Sequence, residues 1–485
     1  MSMEDALYPL LPAYRSLPGS AREAVGRAYR GLPETVRFGP RYAGFRRLAA
    51  EVEDWSAEQV EAYQLAELRR VLSGAAHSCP FYARSFADAG FRPARLDSLA
   101  DLAACPTITS RDIVEHLEGM ASADDPRRRR LYVSTSGSTG TPVGFYLEKG
   151  VSRPKEKAFL AAQWRRAGYD ETCRVAVIRG QVVSRNEREP IAYHDPTRDW
   201  LVLSAYHLSV ARLPEYLEHI RRFRPDVLHA YPSAALQLAG FLQRTGQSWP
   251  VPLRCVLAGS ERLTDPQRRL LEAVFGCRVY SWYGHSERVV LAGEGRQSRS
   301  YYFWPTYGYV EFGPPDATGL REVIGTSFHN RVMPLIRYRT GDYVRVHDPD
   351  RDGPREYPWA AASAVEGRVQ EFLVTAAGCR VALTSMMIHT HDFDGLYAIQ
   401  FVQDRPGSAV VRYVPGPRFR DEQLVAIQRV MHQKLGQDFD LTMRAVAEVE
   451  KTPRGKGRWL VSSLPQATAA VDVAAPDETS AAASA

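Results

Sequence analysis

The sequence lacks the features of disulfide-rich, zinc-binding and membrane proteins. Its six cysteines among 485 residues lie singly, with no C-x-x-C motif. Neither a disulfide framework nor a zinc knuckle follows from this spacing, and a reducing compartment is the simpler inference. No stretch reaches the roughly 18 apolar residues of a membrane-spanning helix. The N-terminal segment has acidic residues and prolines where a signal peptide needs a basic start and an apolar run. We therefore expect a cytoplasmic protein.

The chain also lacks a strong excess of charge of either sign. Its 62 Lys and Arg residues and 56 Asp and Glu residues leave a formal net charge of +6. The one basic run, Arg127 to Arg130, is best explained as a solvated loop, although electrostatic steering of a nucleotide stays open. Because no basic stripe with interleaved aromatic residues is present, nucleic-acid binding has little support. The length predicts two or three domains with an ordinary globular composition.

A stretch rich in Ser, Thr and Gly gives the first functional signal. Leu131 to Val133 predict the end of a buried strand, and a loop closed by Pro142 follows. Backbone N–H groups and hydroxyls of such a loop can all point at one anion, so the loop suits phosphate. A flexible hairpin turn is the alternative. A Walker loop is excluded, because Thr141-Pro142 occupies the position of its Lys-Ser or Lys-Thr. The candidate phosphate ligands are Ser134, Thr135, Ser136, Gly137, Ser138, Thr139 and Gly140.

Helical and strand patterns alternate after this loop. Before it, a helical pattern is predicted over about Ser56 to Gly90, and a short helix over Arg111 to Leu117. Alternating elements imply an α/β fold whose largely parallel sheet is covered by helices and binds ligands beyond the C-terminal ends of its strands. The predicted helices are Lys155 to Arg166, Leu213 to Phe223, Ala234 to Arg244 and Pro266 to Phe275. The predicted strands are Arg174 to Arg179, Asp226 to Tyr231, Val251 to Ala258 and Arg278 to Trp282.

The loops at these strand ends hold further candidates. Ser260 and Glu261 follow one predicted strand, and the string Y-G-H-S-E begins at Tyr283 after the next. Tyr231, Trp282 and His285 are candidates for a substrate pocket because they lie at strand ends, whereas His207 is better explained as a structural histidine.

The last third of the chain has shorter predicted strands and two more motifs. A strand over Leu335 to Tyr338 leads into R-T-G-D, whose Asp342 carboxylate can accept two hydrogen bonds at once. Beyond a G-R-V-Q string that begins at Gly367, a small α+β domain is predicted, and its last motif is G-K-G around Lys456. The composition from Leu464 to Ala485 predicts a disordered tail. The other predicted elements are strands Tyr309 to Phe312, Leu320 to Ile324, Tyr397 to Gln403, Ala409 to Val414 and Leu441 to Val449, and helix Asp421 to Leu435.

These five motifs, in this order, resemble those of the adenylate-forming superfamily of acyl- and aryl-CoA synthetases, peptide-synthetase adenylation domains and luciferases. The resemblance covers roughly Ser56 to Ser463. Val143 stands where many members carry lysine, which is typical of the branch of phenylacetate-CoA ligase and the capsule-biosynthesis proteins.

The resemblance implies a role for each matching residue. Tyr283 would stack on adenine, Ser286 would meet the α-phosphate, and Glu287 would hold Mg²⁺. Asp342 would bind the ribose hydroxyls, and Lys456 would reach the acyl phosphate. Lys456, Glu287 and Ser286 are thus the expected catalytic residues. The remaining expected nucleotide-binding residues are Ser260, Glu261, Gly284 and Arg368, and Gln370 is the expected hinge.

The resemblance also implies domains and an activity. A large ATP- and acid-binding domain would span residues 1–369, with a helical segment to about 130, followed by a small lid domain over 370–463. With ATP and Mg²⁺ the protein would activate a carboxylic acid, expected to be aromatic, as acyl-AMP and release pyrophosphate. The acyl group would pass to coenzyme A, or to a carrier-protein thiol or an amine. The alternatives are an adenylating amide ligase, another AMP-forming ligase with an unusual acceptor, and a nucleotide-binding pseudoenzyme, against which Glu287, Asp342 and Lys456 argue.

Overall fold

A computed structural model of the protein describes most of the chain. Its described residues are 7, 10–135, 143–180, 183, 190–209, 211–316, 319–366, 372–383, 392–393, 396–415, 419–450 and 459–464. The predictions for Ser136 to Gly140, Arg368, Gln370, Lys456 and the tail beyond 464 fall outside these residues. No helix in the described ranges is long and apolar enough to cross a membrane. None of the six cysteines, all of which are described, forms a disulfide bond, as their spacing predicts.

The N-terminal region is helical. The helical pattern predicted over Ser56 to Gly90 is confirmed, and it is divided into two helices because Pro80 begins a new helix directly after Cys79. The short helix predicted at Arg111 extends over Ser110–Met120 and is capped by Thr109. The α-helices of this region are Leu11–Ser16, Gly19–Gly31, Glu34–Phe38, Pro40–Glu51, Ala57–Ser78, Pro80–Asp88 and Ser110–Met120. Short 3₁₀ helices cover Val52–Asp54, Pro93–Arg95, Leu99–Ala104 and Arg127–Arg129.

A capping box begins the longest of these helices. The backbone N–H of Gln59 donates to Ser56 Oγ at 3.3 Å, and the N–H of Ser56 donates to Gln59 Oε1 at 2.9 Å. Two backbone donors that the helix itself leaves unpaired are thereby satisfied. The predicted helix start at Ser56 is confirmed.

Ser56→Ala should lower the free energy of unfolding by about 1 kcal/mol, since it removes the acceptor for the Gln59 N–H. Chemical denaturation with an unchanged m-value would measure this loss. Ser73→Ala is the matched control, because Ser73 lies exposed inside the same helix and alanine has the higher helix propensity there. Equal losses in the two variants would contradict a capping role.

The Ser/Thr/Gly loop joins the two strands of an antiparallel hairpin. Strand β1, Arg130–Thr135, pairs with β2, Val143–Glu148, in a separate two-stranded sheet. Leu131, Tyr132 and Val133 are half-buried rather than buried as predicted, because this small sheet does not join the large one.

The central element is a mixed sheet with the order β11-β12-β13-β14-β10-β9-β8-β7-β6-β3-β5-β4. Neighbours from β5 through β3, β6 and β7 to β8 are parallel, and the remaining pairs are antiparallel. The α/β class is confirmed, although parallel pairing is limited to this central part. The strands are β3 Val175–Arg179, β4 Ala192–Asp195, β5 Trp200–Ser204, β6 Val227–Ala230, β7 Cys255–Gly259, β8 Arg278–Gly284, β9 Leu291–Glu294, β10 Tyr301–Phe303, β11 Gly308–Pro315, β12 Arg321–Ser327, β13 Tyr338–Val346 and β14 Ala361–Glu366.

Helices cover both faces of the parallel strands. Alternate strand residues such as Ile178 and Leu228 pack with the helices Leu213–Phe223, Pro232–Thr245 and Asp265–Phe275. The intervening residues, such as Val177 and Val227, pack on the other face with Trp164 of helix Ser152–Arg165. A further short helix is Pro349–Asp352. Burial on both faces explains why these strands read as continuous apolar runs in the sequence.

Two predicted strands begin clearly later in the chain than predicted. The strand predicted from Val251 begins only at Cys255, because Pro252 lacks the N–H that a central strand requires. The strand predicted over Leu335 to Tyr338 is wrong: β13 begins at Tyr338, so R-T-G-D lies inside a strand and not after one. At Gly341, φ is +72°, and the register of β12 against β13 shifts between Glu322 and Ile324. This irregularity is the bulge at which Asp342 is presented.

The C-terminal part contains a second sheet. Strands β15, Phe372–Val374, and β16, Arg380–Ala382, form a hairpin. The strands β17 Leu396–Arg405, β18 Ser408–Pro415, β19 Asp440–Ala445 and β20 Leu460–Ser462 form a sheet in the order β19-β18-β17-β20, accompanied by helix Glu422–Leu435. The predicted α+β character agrees, but the last long strand ends at Ala445. The Tyr206 ring, from the loop after β5, is buried in the same apolar cluster. The domain boundaries stay a prediction.

Candidate active site

The C-terminal edge of the parallel strands gathers several predicted site residues. Gly259, the last residue of β7, pairs with Trp282 of β8. The loops that carry Ser260 and Tyr283 therefore leave the sheet side by side. A Cβ atom at Gly259 would lie 2.6 Å from the Trp282 ring, so only glycine allows this close approach.

Hydrogen bonds connect Y-G-H-S-E to the R-T-G-D strand. The Tyr283 hydroxyl donates to Asp342 Oδ2 at 2.9 Å. Glu287 accepts from His285 Nδ1 at 3.2 Å and from the Tyr338 hydroxyl at 3.1 Å. Two motifs more than 50 residues apart thus form one polar cluster.

Burial sets the protonation states in this cluster. Burial and the neighbouring Asp342 carboxylate raise the pKa of Tyr283 well above its ordinary value, so its phenol stays a donor. For Glu287 burial acts to raise the pKa, but the contacts with His285 and Tyr338 outweigh it, and the pKa lies below the ordinary value. Glu287 is therefore an ionised carboxylate at neutral pH.

The remaining predicted residues differ in their surroundings. Ser286, Gly284 and Ser260 are exposed at the strand edge, and Ser260 has a φ of +70°. The Glu261 carboxylate accepts from the Ser233 N–H at 2.8 Å and its hydroxyl at 3.0 Å. Burial raises the pKa of Glu261 to about 7, against those two donors and Arg179. Glu261 thus also caps the first turn of helix Pro232–Thr245.

The predicted phosphate loop is only partly described, because its residues 136–142 lie outside the described ranges. Ser134 and Thr135 end β1, where they pair with Gly144 and Val143. Their position beside the Ser/Thr/Gly loop is compatible with phosphate binding, which stays a prediction. Ser204 lies 2.8 Å from His207 Nδ1, and His207 is buried, which agrees with the structural explanation of this histidine.

Sequence reasoning missed three residues at this edge. The Tyr338 hydroxyl donates a hydrogen bond to Glu287. In a strand, Tyr338 lies on the same face as Thr340 and Asp342, and this two-residue alternation could have identified Tyr338 as a site residue. Arg179 ends β3, and its Nη1 atom lies 2.6 Å from His229 Nε2. The guanidinium also approaches the rings of Tyr231 and Trp282. No motif marked Arg179 or His229, because their contacts cross strands that are distant in sequence.

Comparisons with known proteins identify similar chains. A family model described as the CapK C-terminal domain matches residues 373–463. The chain is 29% identical over 317 residues to phenylacetate-coenzyme A ligase of Pseudomonas putida, a match that covers 62% of this chain and 70% of that protein. It is 22% identical over 384 residues to Protein CapK of Staphylococcus aureus, with 76% and 81% covered. The homologues of this chain are thus phenylacetate-CoA ligases and CapK, as the motifs predict, and the CapK C-terminal domain model matches its last part.

A solved member of the superfamily has the same fold. It is 2-hydroxyisobutyryl-CoA ligase in complex with 2-HIB-AMP and CoA, with a TM-score of 0.50, 16% identity, and coverage of 87% of this chain and 91% of that one. The curated homologues, several of them phenylacetate-coenzyme A ligases, support the expectation of an AMP-forming ligase.

The donor set at this strand edge fits a magnesium ion shared with a nucleotide. Within the part of the chain that the structure describes, no group of three or more His, Cys, Asp or Glu side chains is placed to hold a metal by itself. Mg²⁺ is usually bound through one or two carboxylates together with substrate phosphates. The ionised carboxylate of Glu287 is a suitable protein ligand of this kind.

Proposed function

We propose that the protein uses ATP to convert a carboxylic acid into an acyl-adenylate and then transfers the acyl group to coenzyme A. The observation that carries this proposal is the polar cluster of Tyr283, His285, Glu287, Tyr338 and Asp342 at the C-terminal edge of the parallel strands. The homologues named as coenzyme A ligases support it. A cytoplasmic location, where both cosubstrates occur, belongs to the same proposal.

Each half-reaction exchanges one bond for another. A carboxylate oxygen of the acid attacks the α-phosphorus of ATP, the bond from that phosphorus to the bridging oxygen breaks, and pyrophosphate leaves. The thiolate of coenzyme A then attacks the acyl carbon, and AMP leaves with the electron pair of the broken C–O bond. Mg²⁺ bound at Glu287 would neutralise phosphate charge.

The chain's own residues orient the nucleotide in this proposal. Asp342 accepts from the ribose hydroxyls, and the Tyr283 hydroxyl holds the carboxylate of Asp342 in place. The ring of Tyr283 offers adenine a flat apolar face, and Ser286 meets the α-phosphate. Alignment of the two reacting groups supplies much of the rate enhancement in such reactions.

An aromatic acid is the finer part of the proposal. Tyr231 and Trp282 supply apolar walls at the strand edge, next to the nucleotide cluster. Planar rings pack well against such walls. Exclusive turnover of long-chain fatty acids would contradict this substrate class.

Release of pyrophosphate tests the activity. The full chain with ATP and Mg²⁺ is supplied with aryl, fatty and amino acids in turn, and pyrophosphate is measured without and with coenzyme A. Product identification by mass spectrometry separates a thioester from an amide, the product of the alternative amide ligase. Failure to bind ATP or AMP in calorimetry would contradict the proposal and favour a scaffold protein.

Asp342→Ala should weaken AMP binding by about 10- to 150-fold, because it removes a charged acceptor of two hydroxyl groups, worth about 1.5–3 kcal/mol. Isothermal titration calorimetry measures the change. Asp350→Ala, an exposed aspartate of helix Pro349–Asp352, is the control and should bind AMP like the parent. Unchanged binding by Asp342→Ala would remove Asp342 from the ribose site.

A further inference from the structure

Arg179 is a charged group at the active-site edge to which the proposed adenylation assigns no task. Its Nη1 atom donates to His229 Nε2 at 2.6 Å, and its Nη2 atom donates to Ser260 Oγ. The guanidinium carbon lies 4.9 Å from the centre of the Tyr231 ring and 5.6 Å from that of Trp282. The side chain therefore connects β3 with residues of, or directly after, the three neighbouring strands β6, β7 and β8.

The position of Arg179 separates it from Tyr283 and Asp342, although its partner Ser260 is itself an expected nucleotide-binding residue. β3 and β8 are three strand positions apart in the sheet, which corresponds to about 14 Å between their backbones. Tyr283 and Asp342 lie at the β8 side of the edge. A group bound by Arg179 would thus belong to a part of the ligand remote from the ribose.

The side chains in direct contact with the Arg179 guanidinium, those of His229, Ser260, Tyr231 and Trp282, are uncharged. Among the residues that the structure describes, no carboxylate forms an ion pair with it. The nearby Glu261 carboxylate is engaged by Ser233, and burial raises the pKa of Glu261 to about 7, so it is incompletely ionised at neutral pH. A partly buried guanidinium without a carboxylate partner is well suited to bind an anionic ligand group.

His229 fixes the direction of the guanidinium. Burial, followed by the charges of Arg179 and Arg198, lowers the pKa of His229 well below its ordinary value, so the imidazole is neutral. Because Nε2 accepts from Arg179, the ring proton is on Nδ1, which is buried without a hydrogen-bond partner among the described residues. The contact between His229 and Arg179 is therefore present although it leaves the buried Nδ1–H group of His229 without a hydrogen bond to any described residue, which is unfavourable.

We propose that Arg179 is a specificity-determining residue that binds a second anionic group of the substrate acid, at the end remote from the carboxylate that is activated. The substrate class is then an acid with two negative groups, such as an aromatic dicarboxylic acid. His229 is a positioning residue that acts through Arg179. This inference rests on the proposed function, because it takes the strand edge as the acid pocket.

Two adenylate analogues test the inference by binding alone. They are the sulfamoyl-adenosine derivatives of phenylacetic acid and of 4-carboxyphenylacetic acid, which differ only in the second carboxylate. Calorimetry measures both dissociation constants for the parent protein, Arg179→Met, Arg179→Lys and Arg174→Met. Arg174 precedes the first residue of the same strand, at the opposite edge of the sheet, and stacks 4.3 Å from the Phe223 ring centre, so it is a matched control.

The parent protein should prefer the carboxylated analogue, and Arg179→Met should reduce this preference by about 10- to 100-fold, the scale for hydrogen bonds to a charged group. Arg179→Lys should restore part of the preference, and Arg174→Met should leave it unchanged. A merely structural role would weaken both analogues equally and leave their ratio intact, which would overturn the inference while the proposed function stands. If neither analogue bound the parent protein, the proposed function would fail as well.

Discussion

Glu287→Gln should reduce acyl-adenylate formation by about 100- to 1,000-fold, the scale for losing one preorganised electrostatic contact to a developing charge. Glutamine keeps the length of the side chain and an oxygen that accepts from Tyr338 and His285. It removes the negative charge that, in our proposal, binds the magnesium ion of the nucleotide. The loss is therefore expected in the rate and in the Mg²⁺ concentration needed, rather than in folding.

Pyrophosphate release as a function of Mg²⁺ concentration measures this effect. AMP binding in the presence of a chelator should change much less than the rate, because that measurement leaves the metal out. Glu422→Gln, an exposed glutamate in the first turn of helix Glu422–Leu435, is the control and should keep the parent activity. A Glu287→Gln variant with parent activity at limiting Mg²⁺ would show that the metal binds elsewhere.

Lys456→Ala should slow acyl-adenylate formation by about 100- to 1,000-fold and leave the turnover of supplied acyl-adenylate nearly unchanged. In the first step two anions, the carboxylate and the α-phosphate, have to come together, and an ammonium group offsets their repulsion. Lys456 is flanked by Gly455 and Gly457, so little side-chain bulk obstructs its extension into a cleft. After the adenylate has formed this charge is no longer required, and the lid is proposed to turn about Gln370.

The two half-reactions have to be measured separately for this variant. Pyrophosphate release reports the first, and thioester formation from purified acyl-adenylate and coenzyme A reports the second. Lys451→Ala is the matched control, since Lys451 belongs to the same short segment but lies outside the G-K-G turn. Equal losses in both half-reactions of Lys456→Ala would show that this lysine contributes to ligand binding in both steps and not to adenylate formation in particular. A larger loss of adenylate formation in Lys451→Ala would show that Lys451 supplies the ammonium group.

Elements with a strong local signal could be predicted from the sequence. The helix at Leu213–Phe223 has the predicted bounds, because its apolar residues recur with the helical period and Pro214 marks its first turn. The strands β6 and β8 are predicted from their alternation with helices, and both lie in the parallel part of the sheet. The edge at which the candidate residues lie follows from parallel pairing alone.

Contacts that depend on register could not be predicted. The pairing of β3 with β6 brings Arg179 and His229 together, although 50 residues separate them. Because of the bulge at Gly341, Asp342 lies within a strand. From the sequence alone, a glycine in a short motif such as R-T-G-D predicts a loop as readily as a bulge inside a strand. Such features are properties of strand pairing, which local propensity does not determine.

The side chain of Tyr206 joins two parts of the molecule that the proposed catalytic cycle has to move apart. Its hydroxyl donates to the Gly180 carbonyl at 2.9 Å, directly after Arg179, while its ring is buried with Leu373 and Phe401 of the C-terminal part. Withdrawing the ring into water costs about 2 kcal/mol, the scale for one large apolar side chain. That cost shifts a conformational equilibrium by about 30-fold. A ligand that favours the rotated arrangement has to supply this difference from its own binding free energy.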